Sequence, residues 1–134
     1  MARVANGSLP YLNIWGNDYP TPDGTRVRDY IHVTGLVIGH VRALEHLAEP
    51  KCIAVNLGTG RGYSVLEVVR AFERASGRNV PFCAAPRRPR DIETCHADPS
   101  LAERLLGWRE ERTLERICDN AWRWQRHNPN GFRS

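Results

Sequence analysis

The run "CIAVNL" at residues 52–57 constrains this chain more than any other stretch. A strand that is apolar at almost every position must be covered on both faces, with strand neighbours beside it and helices above and below. The glycine-rich turn that follows leads into a helix. Ser64 is placed to cap it, Glu67 completes a capping box, and Gly77 ends it. Upstream, "MARVANG" reads as the end of a helix closed by Gly7, and "LNIW" (12–15) as a short strand. "VRDYIH" (27–32) is extended, with Val27, Asp29 and Ile31 alternating against Arg28, Tyr30 and His32. Apolar residues at 33, 36, 37, 41, 44, 47 and 48 predict a helix from about Val33 to Ala48, with Pro50 just beyond its end. Downstream come a strand "VPFCAA" (80–85), a loop (86–95), a short helix opening at "DPS" and a last helix over 113–127. The order is α/β. The other strands are short and partly polar, so they cannot flank 52–57 on both sides. The chain also opens inside a helix with no N-cap before it. Both features predict a portion of a larger fold whose main sheet lies elsewhere.

Composition narrows the functional classes. No apolar run in the 134 residues approaches the ~20 needed to cross a membrane. The N-terminus has no apolar core of a signal peptide, so a cytoplasmic protein is expected. The four cysteines contain no C-x-x-C pair, which argues for reduced thiols rather than zinc or redox chemistry. His32, His40 and His46 form no i, i+4 ligand set with a carboxylate, so no metal is expected. The net charge is +4, and Lys51 is the single lysine among 19 basic residues. A basic chain can bind nucleic acid, but arginine also matches phosphate oxygens as a fork. The arginines sit in two loops and are balanced elsewhere by Asp and Glu, which favours a small phosphorylated ligand.

Two of those arginine groups carry chemistry. Arg26 and Arg28 flank Val27 and point the same way in an extended segment. Arg87, Arg88 and Arg90 lie in a proline-bounded loop. With Trp15 and Tyr30 nearby, the two groups could form a diphosphate clamp beside a stacking wall, or could simply be solvated faces. "GTGRGYS" (58–64) has the spacing G-x-G-x-G, not the G-x-G-x-x-G of a dinucleotide turn, and reads as a structural strand-to-helix turn. Trp108, Trp122 and Trp124 read as core and helix-face aromatics.

Taken together, "GNDYPTPDGTRVRDYIHV", "NLGTGRGYSVLEVV", "PRRPRDIETCHADPSLAERLLGW" and "WRWQRHNPNGF" resemble the C-terminal part of the UDP-glucose 4-epimerases, members of the extended short-chain dehydrogenase/reductase family. The resemblance runs from about residue 2 to 132. It implies the C-terminal portion of a Rossmann-like α/β fold, lacking most of the N-terminal NAD-binding domain. Residues 1–134 would be the UDP-sugar-binding region, with a segment of about 33–63 packing on the missing domain. It implies that Asn13 and Trp15 contact the uracil, that Arg28 and Arg88 hold the diphosphate, and that Asp91 bonds the ribose. Cys95 stands where some members carry Tyr beside the sugar; a thiol there leaves space for an N-acetyl group, so UDP-N-acetylhexosamines should be tolerated beside UDP-glucose and UDP-galactose.

The family's chemistry is a reversible hydride transfer to NAD, with the proton taken by a Tyr of a Y-x-x-x-K pair. None of Tyr11, Tyr19, Tyr30 and Tyr63 lies four before Lys51, where Leu47 stands. No catalytic residue is therefore expected here, and NAD would be bound by the missing N-terminal domain, with none expected for this chain alone. The expected partners are a UDP-hexose and the N-terminal half, in a protein whose relatives are often homodimers, with no nucleic acid and no membrane. The alternative is a stand-alone nucleotide-sugar-binding module or a remnant; another nucleotide-sugar enzyme or a basic nucleic-acid binder is further away. Two departures from the family pattern stand out. Gly35 replaces an Asp near the start of a helix, which predicts a weaker cap. Arg90 replaces a Gly in the phosphate loop, which predicts strain if the position needs positive φ, and a third phosphate-facing arginine if it does not.

Overall fold

The computed structural model describes residues 1–48 and 52–132. In chain order the elements are α1 (Ala2–Ala5), β1 (Leu12–Trp15), β2 (Val27–Asp29), α2 (Val33–His46), β3 (Gly62–Ser64), α3 (Val65–Ser76), β4 (Phe82–Ala85), β5 (Thr94–Cys95), α4 (Ser100–Leu106) and α5 (Leu114–His127). The α/β order predicted from sequence is present, with Pro50 outside the described residues.

The main core lies between α3 and α5. Val68, Val69, Ala71 and Phe72 of α3 are buried against Leu114, Cys118 and Trp122 of α5, and Val4 and Val80 close the ends. Phe72 meets Trp122 edge to face, with ring centroids 6.2 Å apart, an arrangement that adds about 1 kcal/mol to their burial. Both helices are defined by their ends. The Ser64 hydroxyl accepts from the Glu67 N–H at 3.0 Å and the Glu67 carboxylate accepts from the Ser64 N–H at 2.7 Å. Gly77 takes φ 64° at the C-terminus of α3, a conformation that costs glycine nothing. The Thr113 side chain caps α5.

The strands form two small sheets. β1 pairs with β4 in parallel, from Leu12 opposite Phe82 to Trp15 opposite Ala85. β2 lies at the centre of the other sheet, antiparallel to β3 and parallel to β5. A second, smaller core gathers Ala102, Leu106 and Trp108 under half-buried Ala43, Val55 and Leu57.

Three sequence expectations are corrected. Residues 52–57 are not a strand: among the described residues no strand pairs with them, and without a ladder the run stays irregular, with Val55 and Leu57 half-buried and Ile53 exposed. β2 stops at Asp29 rather than continuing to 32, because His32 already serves as the N-cap of α2 through Nδ1, which accepts the Thr34 N–H at 3.0 Å. The strand expected over 80–85 begins at Phe82. Val80 is 1% exposed in the core instead, and the Pro81 carbonyl accepts the Leu12 N–H.

Candidate functional site

Parallel pairing brings the C-terminal ends of β1 and β4 to one edge, so the loops that leave them meet there. The Gly16 N–H still donates to the Ala85 carbonyl at 2.8 Å, which aligns the first residues of both loops. Above this edge two arginines stack on two aromatic rings. The Arg88 guanidinium lies 4.8 Å from the centre of Trp15, and that of Arg87 lies 4.1 Å from Tyr19. Arg87 Nε also donates to Asp18 Oδ1 at 2.7 Å. That hydrogen bond, more than any other contact, lowers the carboxyl pKa of Asp18. Tyr19 is buried, and its hydroxyl has no hydrogen-bond partner.

The same loop then feeds β5, which lies beside β2. Arg26 Nη1 donates to Asp91 Oδ2 at 2.5 Å, and Arg28 Nη2 stands 3.9 Å from the other carboxylate oxygen. One face therefore carries both arginines, as the i, i+2 spacing predicts. Arg28 is engaged with backbone as well: Nη2 donates to the Ile92 carbonyl and Nη1 to that of Val27, each at 2.7 Å. Cys95 is exposed and sits directly across from Arg28 in the β2–β5 register. Asn13 is exposed on β1 opposite Cys83. Tyr30 is half-buried, and desolvation raises the pKa of its hydroxyl despite the two arginines.

The expected site residues thus fall in two groups joined by one loop. Asn13, Trp15 and Arg88 belong to the β1–β4 edge, and Arg28, Asp91 and Cys95 to β2 and β5. A tight turn connects the groups: the Asp91 N–H donates to the Arg88 carbonyl at 3.3 Å. Pro89 and Arg90 are its central residues, and Arg90 has φ 65°. A turn with Pro second and positive φ third is built for Gly at the third place. Arg90 is therefore strained, by about 1–2 kcal/mol, which decides between the two alternatives that the sequence left open.

Charge at the site is unbalanced. Asp18 offsets Arg87, and Asp91 offsets one of Arg26 and Arg28. Arg88 and Arg90 have no carboxylate partner among the described residues. The edge can attract an anion and offers Trp15 as a stacking surface. Among the described residues no group of three His, Cys, Asp or Glu is placed to hold a metal.

Asp18, Tyr19 and Asp29 have no role in the sequence reading, and Arg26 has one only together with Arg28. The Asp29 carboxylate accepts from the Thr59 N–H (3.0 Å), the Thr59 hydroxyl (2.6 Å), the Gly60 N–H (3.2 Å) and the Ala97 N–H (3.3 Å). The signal was present, since an acid on the same side as Val27 and Ile31 needs buried partners. The network also bears on a dinucleotide. The N–H groups with which turn 58–60 could cradle a pyrophosphate already donate to Asp29, so this turn does not fit that role.

The model for the family described as GDP-mannose 4,6 dehydratase matches residues 1–121. The chain belongs to this family, among the extended short-chain dehydrogenase/reductases. Within the family it is 58% identical to the UDP-glucose 4-epimerase of Bacillus subtilis, matching 100% of this chain and 40% of that protein. It is 51% identical to the human UDP-glucose 4-epimerase, over 98% of this chain and 38% of that one. The crystal structure of the Bifidobacterium longum UDP-glucose 4-epimerase in complex with NAD+ and UDP superimposes with a TM-score of 0.95 at 50% identity, covering 98% of this chain and 39% of that one. The chain therefore spans about 40% of the length of these relatives. It is an α/β portion of the extended reductase fold, corresponding to the C-terminal part. Among its described residues no helix is long and apolar enough to cross a membrane.

Proposed function

We propose that this chain is the substrate-binding portion of a UDP-glucose 4-epimerase, a cytoplasmic enzyme that interconverts UDP-glucose and UDP-galactose. The observation that carries the reading is the two groups joined by one loop, Arg88 over Trp15 at the β1–β4 edge and Arg28 beside Asp91 and Cys95 on β2 and β5. In this reading Asn13 and Trp15 hold the uracil, Arg28 and Arg88 the diphosphate, and Asp91 the ribose. Arginine suits the diphosphate because its fork matches two oxygens at once. The exposed Cys95 leaves room beside the sugar for an N-acetyl group. The chain contributes no Y-x-x-x-K pair, so the proton transfer and the NAD that accepts hydride are assigned to the remainder of a longer protein or to a separate half.

The same reading gives the exposed face of α2 a purpose. Val33, Val37, Val41 and Leu44 form a stripe between 48% and 72% exposed. Together with residues 52–57 this stripe is assigned to packing on the nucleotide-binding domain.

The test is calorimetric titration of this chain with UDP at two salt concentrations. Saturable binding with a mild salt dependence is expected, weakened about tenfold or more by Arg28→Ala. Absence of UDP binding, or affinity for oligonucleotides that falls steeply with salt, overturns the reading.

A further inference from the structure

The loop 86–95 is fastened to β2 at several points, most of them ending on the loop's backbone. Val27 N–H donates to the Glu93 carbonyl at 2.8 Å, the Arg28 guanidinium donates to the carbonyls of Ile92 and Glu93, and β5 pairs with Val27 and Arg28. The short link between side chains is Arg26–Asp91, 65 positions apart in sequence and 2.5 Å in space. Both side chains are mostly out of solvent, at 16% and 21% exposure. The Nε of Arg26 is buried with no acceptor, and Asp91 is the side chain that accepts from its guanidinium, through Nη1, among the described residues. A partly desolvated charge-assisted bond of this kind is stronger than an exposed ion pair. Beside it the backbone works in the opposite direction. Arg90 is held at φ 65° in the turn that ends at Asp91, so the turn stores strain that something must oppose.

We propose that Arg26 is a positioning residue: it pins the strained 88–91 turn to β2 and aims the Asp91 carboxylate toward a ribose-bearing ligand. The inference rests on the function proposed above, since it needs Asp91 to face such a ligand. A carboxylate has capacity for this double engagement. Asp91 Oδ2 takes Arg26, while Oδ1, with Arg28 at 3.9 Å, keeps room for a sugar hydroxyl. Arg26 thus acts through Asp91 and not on the phosphates.

The experiment separates those two modes by comparing uridine with UDP on this chain and on Arg26→Gln, Arg26→Lys, Asp91→Asn and the double variant. Loss of positioning weakens uridine and UDP alike, by about tenfold; Arg26→Lys recovers most of the affinity, and Arg26→Gln adds nothing in the Asp91→Asn background. A loss confined to UDP would mean that Arg26 contacts phosphate and overturns the proposal, as would a fully additive double variant. Hydrogen exchange of residues 86–95 without ligand is the second measurement. Arg26→Gln should speed exchange in that loop while leaving α3 and α5 protected, and unchanged exchange overturns the clamp. If the unaltered chain binds no UDP, the proposed function fails, and the exchange measurement alone decides whether Arg26 holds the loop.

Discussion

Gly35 shows how a single position can be misread when only its own helix is considered. It was expected to be a poor cap for α2, but the cap is His32, a buried ring whose Nε2 lies 2.8 Å from the Asn120 amide. Gly35 is buried in the first turn. A Cβ there would fall on the carboxylate of Glu110, whose side chain is wholly out of solvent. The first turn of α2 contains no acidic residue of its own. Glu110 brings a negative charge there from a different segment, where the helix dipole favours it. The space and the charge belong to one arrangement, so Gly35→Ala should destabilise the chain by about 1–3 kcal/mol through overpacking. The cost should be smaller in a Glu110→Ala background, as read by denaturant midpoints in a double-mutant cycle. Equal costs in both backgrounds would mean that the two residues do not share that space. No pattern in the sequence links residues 35 and 110; only the tertiary contact does.

Among the elements, α5 offers the clearest chemical prediction. Cys118 is 2% exposed between α3 and α5, and burial pushes its thiol pKa from 9.0 to about 11. A folded-state pKa above the unfolded value adds stability that is complete below pH 9 and is lost as pH rises toward 11. The denaturation midpoint should therefore fall across that interval, and Cys118→Ala should make the fall shallower. In the folded chain a thiol reagent should modify the exposed Cys52, Cys83 and Cys95 and reach Cys118 only after unfolding. Helices such as α3 and α5 were legible because caps and apolar spacing are local. Ser64, Glu67 and Gly77 define α3 without reference to anything distant. β3 and β5 were not legible: they have three and two residues, and one opens with a glycine. Their extended conformation comes from pairing with β2, information that lies 33 to 67 positions away. Residues 52–57 failed in the opposite sense, since their composition specifies a strand but the partner it needs is not among the described residues. The site was partly legible. The arginine spacing placed Arg26 and Arg28 on one face, whereas the stacking of Arg88 on Trp15 depends on β1 meeting β4.

For the whole molecule, the exposed stripe of α2 sets the behaviour in solution. Four large aliphatic side chains along one helix make a patch that water does not tolerate well. The isolated chain should self-associate as its concentration rises. Val37→Lys with Leu44→Lys should suppress this in light scattering and change the unfolding free energy by no more than about 0.5 kcal/mol, because both side chains are already exposed. Persistent association in that variant would place the sticky surface elsewhere.

The parallel registers carry a consequence for the order of events during folding. Leu12 finds its neighbour at Phe82 and Val27 finds Thr94, so each ladder closes a loop of about 70 residues. Such closures are slow compared with helix pairing. Within the chain, the contact of α3 with α5 involves nearer segments and can form first. During synthesis the segment from β1 to β2, bearing Trp15, Arg26 and Arg28, leaves the ribosome before Asp91 and Arg88 exist to meet it. On refolding of the full chain this edge is then the last part to assemble, whereas during synthesis α5 (Leu114–His127) emerges after it, so a ribosome stalled before residue 94 would hold neither the α3–α5 core nor the edge.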